Sequence, residues 1–217
     1  MAFPEYEKLP TTGKRPRALA PANLSCVEQD VASSEVAALY QHFRSHFGRP
    51  DVPGILKCFA THPSLLRHMM GLSEDLIFAD CHLTRRHKEM IATAVSAQNQ
   101  CPYCADSHGY FLRVYGGSAG ALCAIQANDL HSPSLTISEQ ALLSFALKVN
   151  CNSHQISRAD VETMHQAGWS DSQVAEAIHV AALFATFNRV ANAFGLKSQG
   201  LLAEFEEPNN STEPFSS

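Results

Sequence analysis

Helix start and stop signals recur from residue 34 to residue 194, and no stretch between them alternates polar and apolar residues as a half-buried strand would. Residues 34–48 carry apolar side chains at helical spacing and close on Gly48. Residues 54–60 and 63–78 read as two more helices, the second opened by Pro63. Thr84 caps a helix running to about Asn99, with an apolar stripe of Met90, Ile91, Ala94 and Val95. The residue before a proline avoids the helical region, so the chain should break at Cys101. Pro102 suits the first position of a new helix, which should stop at Gly116-Gly117. Ser118 opens another helix, and Thr136, Ser157 and Ser170 each begin a capping-box pattern. The helix over 171–194 is apolar on most faces, which predicts burial on all sides, within the subunit or partly against another one. The fold class is all-α.

The order helix, helix, glycine, serine-capped helix recurs at an offset of 52 residues, as a weak internal repeat. Thr84 corresponds to Thr136, Gly116 to Gly168 and Ser118 to Ser170, whereas Cys101, Cys104 and His108 correspond to Ser153, Ile156 and Asp160. The first unit then carries the chemistry and the second completes the core. Residues 1–33 read as an extended arm, expected to wrap a neighbouring subunit; 34–200 as one all-α domain; and 201–217 as a polar tail.

The chain has 217 residues and a net charge of −5, which gives no basic footprint for nucleic acid or an anionic membrane. Its longest apolar run, 177–187, is interrupted by His179 and is shorter than the ~20 residues of a membrane span. The first residues lack a secretory pattern, so a cytoplasmic location is expected. Seven cysteines, an odd number and mostly scattered, do not make a secreted disulfide framework. Cys58, Cys123 and Cys151 are expected to pack as small hydrophobes.

Cys101-Pro-Tyr-Cys104 is the exception, with His108 one turn further on and about 5–6 Å away between Cβ atoms. A Cys-x-x-Cys pair closes to a disulfide and reopens readily. The free N–H groups of a helix start favour a thiolate, expected here on Cys104 in the first turn. A peroxide would oxidise that thiolate to a sulfenic acid, which the other thiol condenses with. His108 can take or return the proton. Glu89, in the preceding helix, is the candidate to orient His108, in the order Glu89, His108, Cys104. Its plain alternative is a surface pair with Arg85 or Arg86. Glu89, Cys101, Cys104 and His108 could also supply a metal, but no second Cys/His pair with short spacing supports a structural site, and no metal or cofactor is expected. His87 is placed on the surface and His179 in the core. Asn188, Arg189 and Asn192 are assigned to hydrogen bonding at an interface, and Trp169 to packing.

Glu89, the run Ser96-Ala-Gln-Asn-Gln-Cys-Pro-Tyr-Cys104 and His108 together resemble the alkylhydroperoxidase D-like members of the carboxymuconolactone decarboxylase superfamily, closest to the peroxidase-related branch. His62-Pro-Ser-Leu-Leu-Arg67, Leu83-Thr-Arg-Arg86, Ala181-Ala-Leu-Phe184 and Asn188-Arg189 extend the resemblance over about residues 34–197. It implies an all-α fold, homo-oligomers (trimers, or hexamers built from them) and cofactor-free thiol peroxidase chemistry driven by a dithiol reductant. It also implies Cys104 as the attacking sulfur, Cys101 as the resolving one, and Glu89 and His108 as the proton relay. One position departs from the family: the best-studied type has a histidine between the cysteines where this chain has Tyr103, a poorer proton carrier at neutral pH. Two other classes compete with a peroxidase or disulfide reductase. One is a non-redox lactone decarboxylase, which has no need of a reversible disulfide. The other is an oligomer that senses oxidants without turnover.

Overall fold

Ten α-helices follow one another in the computed structural model, which describes residues 23–206, and no strand occurs among those residues. They are α1 (Ser34–Phe47), α2 (Gly54–Phe59), α3 (Pro63–Ser73), α4 (Arg85–Gln98), α5 (Pro102–Val114), α6 (Ala119–Gln126), α7 (Ile137–Asn152), α8 (Arg158–Gln166), α9 (Asp171–Phe194) and α10 (Leu201–Glu206). A π-helical turn, Glu74–Phe78, continues α3. The caps fall where the sequence placed them. Thr84, Ser118, Thr136 and Ser170 accept the backbone N–H three residues on. Ser157 forms the capping box with Asp160. The repeat holds at this level, since Thr84 and Thr136 open α4 and α7 and Ser118 and Ser170 open α6 and α9.

The main core gathers α4, α6, α7 and α9 around Met90, Ile91, Val95, Leu142, Leu143, Val180 and Phe184. A second apolar cluster joins α1, α2 and α3 through Tyr40, Phe43, Leu56, Phe59 and Leu66, and Phe187 of α9 packs against it. Trp169 is buried and its indole N–H donates to the Ser138 carbonyl, so it acts as the packing anchor expected. The central element is α4, where every residue from Lys88 to Ser96 is buried. Two of these are charged. Lys88 meets Glu176 of α9 at 2.8 Å and also donates to the Ala79 carbonyl. Glu176 accepts the N–H groups of His82 and Leu83, which fixes the approach to α4.

Several expectations are corrected. Of the two alternatives for α9, burial on all sides within its own chain does not hold: Ala175, His179, Ala182, Thr186 and Arg189 recur along a stripe that this chain leaves exposed. His179 is therefore a surface residue, because the helical period carries it away from the stripe of Val180 and Phe184. By length and composition α9 could cross a membrane, but 56% of its apolar window is buried within the chain. Cys123 and Cys151 are exposed and only Cys58 packs inside. His87 is half-buried and edge-on to Trp169, with burial and then Arg86 holding its pKa down.

The part of the arm within the described residues lies against its own chain. Asn23 donates to the Phe194 carbonyl at the end of α9, where Gly195 (φ 78°) closes the helix. A Cβ on Gly195 would come within 2.8 Å of Asn23. Residues 1–22 and 207–217 lie outside the described residues. Residues 201–206, read as polar tail, instead form α10, because the Asp106 carboxylate of α5 accepts the N–H groups of Gln199, Leu201 and Leu202 and starts the helix.

Breaking the buried Lys88–Glu176 pair leaves a charge without its partner. Lys88→Met should lower the unfolding free energy by about 3 kcal/mol in urea denaturation followed by circular dichroism.

Candidate active site

The turn between α4 and α5 is short and fully specified. Asn99 ends α4, Gln100 adopts φ 52°, and the N–H groups of Gln100 and Cys101 donate back to the carbonyls of Ala97 and Ser96. This is a Schellman closure with glutamine in the left-handed position that glycine usually takes. Its last residue, Cys101, is also the N-cap of α5, and Pro102 follows at the first helical position. The break predicted before Pro102 therefore occurs at Cys101.

Both thiols are free and buried, Cys101 at 1% and Cys104 at 3% exposure, packed with Tyr103 and Ala191 and lined by Ile55 and Leu196. As a thiol Cys101 makes no side-chain cap bond, yet the groups around its sulfur favour the thiolate. The Cys104 thiol acts first; burial opposes it, and the Cys104 N–H, the Asn188 side chain and the Tyr103 N–H add to it. Together they bring Cys101 down to about 7. The hydrogen bond with Cys101, and then burial, push the Cys104 thiol well above its ordinary range. The interaction between the two thiols thus favours the thiolate on Cys101, whereas the sequence suggested Cys104. The helix-start N–H groups act on the N-cap sulfur one residue before the first turn, not on the sulfur inside it. A shallow open cleft of about 390 Å³ reaches Cys101, lined also by Ser96, Gln100, Pro102, Ala105 and Gln126.

Glu89 and His108 meet as the sequence order suggested. The carboxylate of Glu89 is fully buried, with one oxygen 2.7 Å from His108 Nδ1 and the other accepting from Arg85 Nε at 2.6 Å. The functional partner and the plain one are thus both present on one carboxylate. Burial opposes the charge of Glu89, but His108 and Arg85 outweigh it and hold its pKa below the usual carboxylate value. An ionised Glu89 accepts Nδ1–H, which leaves His108 Nε2 as the basic nitrogen. His108 packs edge-on against Phe184 at 4.5 Å, and Arg85 lies over the rings of Phe78 and Tyr115, 4.7 Å from each. The hydrogen bond of His108 runs to Glu89 rather than to sulfur. Its four-residue spacing from Cys104 keeps both on one face of α5.

Tyr103 turns out to be an anchor. Its hydroxyl accepts the Ile55 N–H at 3.4 Å, at the start of α2, and burial raises its pKa. It does not stand in for a proton-carrying histidine. Asn188, assigned only to interface hydrogen bonding, serves the site as well. It is wholly buried, donates to Ser96 Oγ, accepts from Asn99 and favours the Cys101 thiolate. A polar side chain at 188 amid the apolar positions of α9 was the available signal.

Residues 63–130 match the model of the carboxymuconolactone decarboxylase family. A peroxidase-related protein with an AhpD core from Ralstonia eutropha JMP134 superposes with a TM-score of 0.76 at 27% identity, over 85% of this chain and 96% of that one. A peroxidase-related protein from Silicibacter sp. TM1040 gives a TM-score of 0.71 at 28% identity, over 83% of this chain and 92% of that one. The family match and these two structures support assignment to the AhpD-like, carboxymuconolactone decarboxylase superfamily. The debrominase Bmp8, solved with 2,3,4-tribromopyrrole bound, shares the fold at 16% identity with a TM-score of 0.68, over 84% of this chain and 94% of that one. Among curated proteins none matches. The Cys101–Cys104 turn lies within the matched 63–130 segment.

Two outcomes follow from the site's electrostatics. Alkylation of Cys101 by iodoacetamide should rise with pH around a midpoint near 7, and Asn188→Ala should move that midpoint upward; peptide mass mapping reads both. The depressed pKa of Glu89 implies stability that is present above the unfolded carboxylate pKa and lost as pH falls through the lower folded value. Urea midpoints measured from pH 7 down to pH 3 should therefore decline less in Glu89→Gln than in the wild type.

Proposed function

We propose that this chain is a cofactor-free thiol peroxidase and disulfide oxidoreductase that cycles the Cys101–Cys104 pair against a dithiol reductant. The observation that carries this reading is a pair of free, buried thiols three residues apart at the start of α5, one turn below a histidine held by a buried carboxylate. In this reading His108 Nε2 takes the Cys104 proton, and Glu89 holds Nδ1–H and stabilises the imidazolium. The Cys104 thiolate attacks the terminal oxygen of a hydroperoxide, the O–O bond breaks, and the alkoxide takes the proton from His108. Cys104 is left as a sulfenic acid. Cys101, already biased toward thiolate, then attacks the Cys104 sulfur, and hydroxide leaves with the remaining proton as water. A dithiol returns two electrons and two protons to the disulfide. The cleft beside Cys101 gives that reductant an approach to the sulfur it would attack. Glu89 acts through His108 and is a positioning residue. The proposal includes a soluble cytoplasmic homo-oligomer, a trimer or hexamer, with the exposed stripe of α9 available for subunit contact.

Consumption of cumene hydroperoxide with dithiothreitol tests the reading. Cys104→Ser should abolish turnover, and His108→Gln and Glu89→Gln should each lower kcat by about 100-fold with little change in KM. In Cys101→Ser a dimedone adduct should form on Cys104. An adduct confined to Cys101 in Cys104→Ser would reverse the roles of the two sulfurs. One round of disulfide formation without turnover in the wild type would leave disulfide exchange or oxidant sensing as the function.

A further inference from the structure

A second pair of sulfurs lies outside the Cys101–Cys104 site. Cys26 Sγ and Cys58 Sγ are 3.6 Å apart, although the residues are 32 positions apart in the chain. Cys58 is buried on α2, and Cys26 is half-buried in the segment before α1. Bonds one or two residues away hold both backbones. Val27 N–H donates to the Lys57 carbonyl at 3.3 Å, Lys57 Nζ pairs with Glu28 at 2.6 Å, and the Tyr40 hydroxyl donates to the Val27 carbonyl at 2.7 Å. The sulfurs are thus delivered to each other, 3.6 Å apart, by a segment that is already docked.

We propose that Cys26 and Cys58 form a second, reversible disulfide that staples the 23–33 segment onto α2, made by exchange with a small aliphatic disulfide. Cys26, the sulfur nearer solvent, attacks the small disulfide as thiolate and releases one thiol. Cys58 then attacks the mixed disulfide at Cys26 and releases the second thiol, its own proton going to that leaving group. The net change is one protein dithiol oxidised and one small disulfide reduced. Burial, followed by the charge of Cys26, raises the Cys58 pKa, which fits Cys58 as the second sulfur to react. The staple bears on the active site from behind. The N–H of Ile55 on α2 holds the Tyr103 hydroxyl, and a Cβ on Gly54 would lie 3.5 Å from the Tyr103 ring. Closing the pair fixes the wall against which the Cys-Pro-Tyr-Cys turn rests.

The test uses the full chain carrying Cys101→Ser and Cys104→Ser, so that it stands apart from the peroxidase reading. Titration with oxidised glutathione, followed by acid quench, alkylation and peptide mass mapping, should give a Cys26–Cys58 cross-linked peptide lighter by two hydrogens. The melting temperature should rise by several degrees and return on adding dithiothreitol. Adding Cys26→Ser, or Cys58→Ala, should remove both effects. Full alkylation of both residues throughout the titration in a folded chain would overturn the proposal. So would cross-links that join either residue to Cys81, Cys123 or Cys151.

Discussion

The closure of α4 onto α5 is the constraint on which the rest of the site depends. Four asparagine amides hold it. Asn99 donates to Asn150 and Asn188 at 3.0 Å each, Asn150 donates back to Asn99 at 2.9 Å, and Asn192 donates to the Asn99 carbonyl at 3.1 Å. These come from α7, α9 and the turn itself. Polar groups removed from water must find partners, so this network fixes the turn's position relative to two other helices. Gln100 can then occupy a backbone region that non-glycine residues rarely adopt. The turn sets Cys101 at the end of one helix and the start of the next, where α5's first N–H groups face its sulfur.

Adjacent charged residues on α4 do complementary jobs. Lys88 points to Glu176 and the loop before α4, and Glu89 points to His108 and Arg85 on the side of α5. Each buried charge is matched by an opposite one and by further hydrogen bonds, the condition under which desolvation of an ion is offset. The consequence for chemistry is that Glu89 has no freedom to approach sulfur. Its carboxylate is committed to one imidazole and one guanidinium, so it acts by fixing the ring and its tautomer.

The two sulfurs of the pair are unequal for a local reason. Cys101 sits at the N-cap and gathers donors from Cys104, Tyr103 and Asn188, while Cys104 sits one turn in, beside a neighbour that favours the negative charge on itself. An attack by Cys104 therefore needs an outside acceptor for its proton, and His108 on the same helix face is the available one. The identity of Tyr103 follows the same logic. With its hydroxyl anchored to α2, it contributes shape rather than proton transfer.

Local chemistry was legible in the chain. The caps at Thr84, Ser118, Thr136, Ser157 and Ser170 and the break at Cys101-Pro102 follow from backbone rules within one or two adjacent helices, and the pairing of Glu89 with His108 was suggested by the family resemblance. What depended on distant segments was not legible. The exposure of His179, Cys123 and Cys151 depends on which face of each helix meets a neighbour. The start of α10 depends on Asp106, more than ninety residues earlier. The contribution of Asn188 to the thiolate, and the meeting of Cys26 with Cys58, join positions that only packing brings together. Sequence set the helices and the reactive residues, because capping and periodicity are properties of neighbouring residues. Tertiary structure decided what surrounds those residues, because the burial of Glu89, the Asn188 amide beside Cys101 and the approach of Cys26 to Cys58 are supplied by segments distant in the chain.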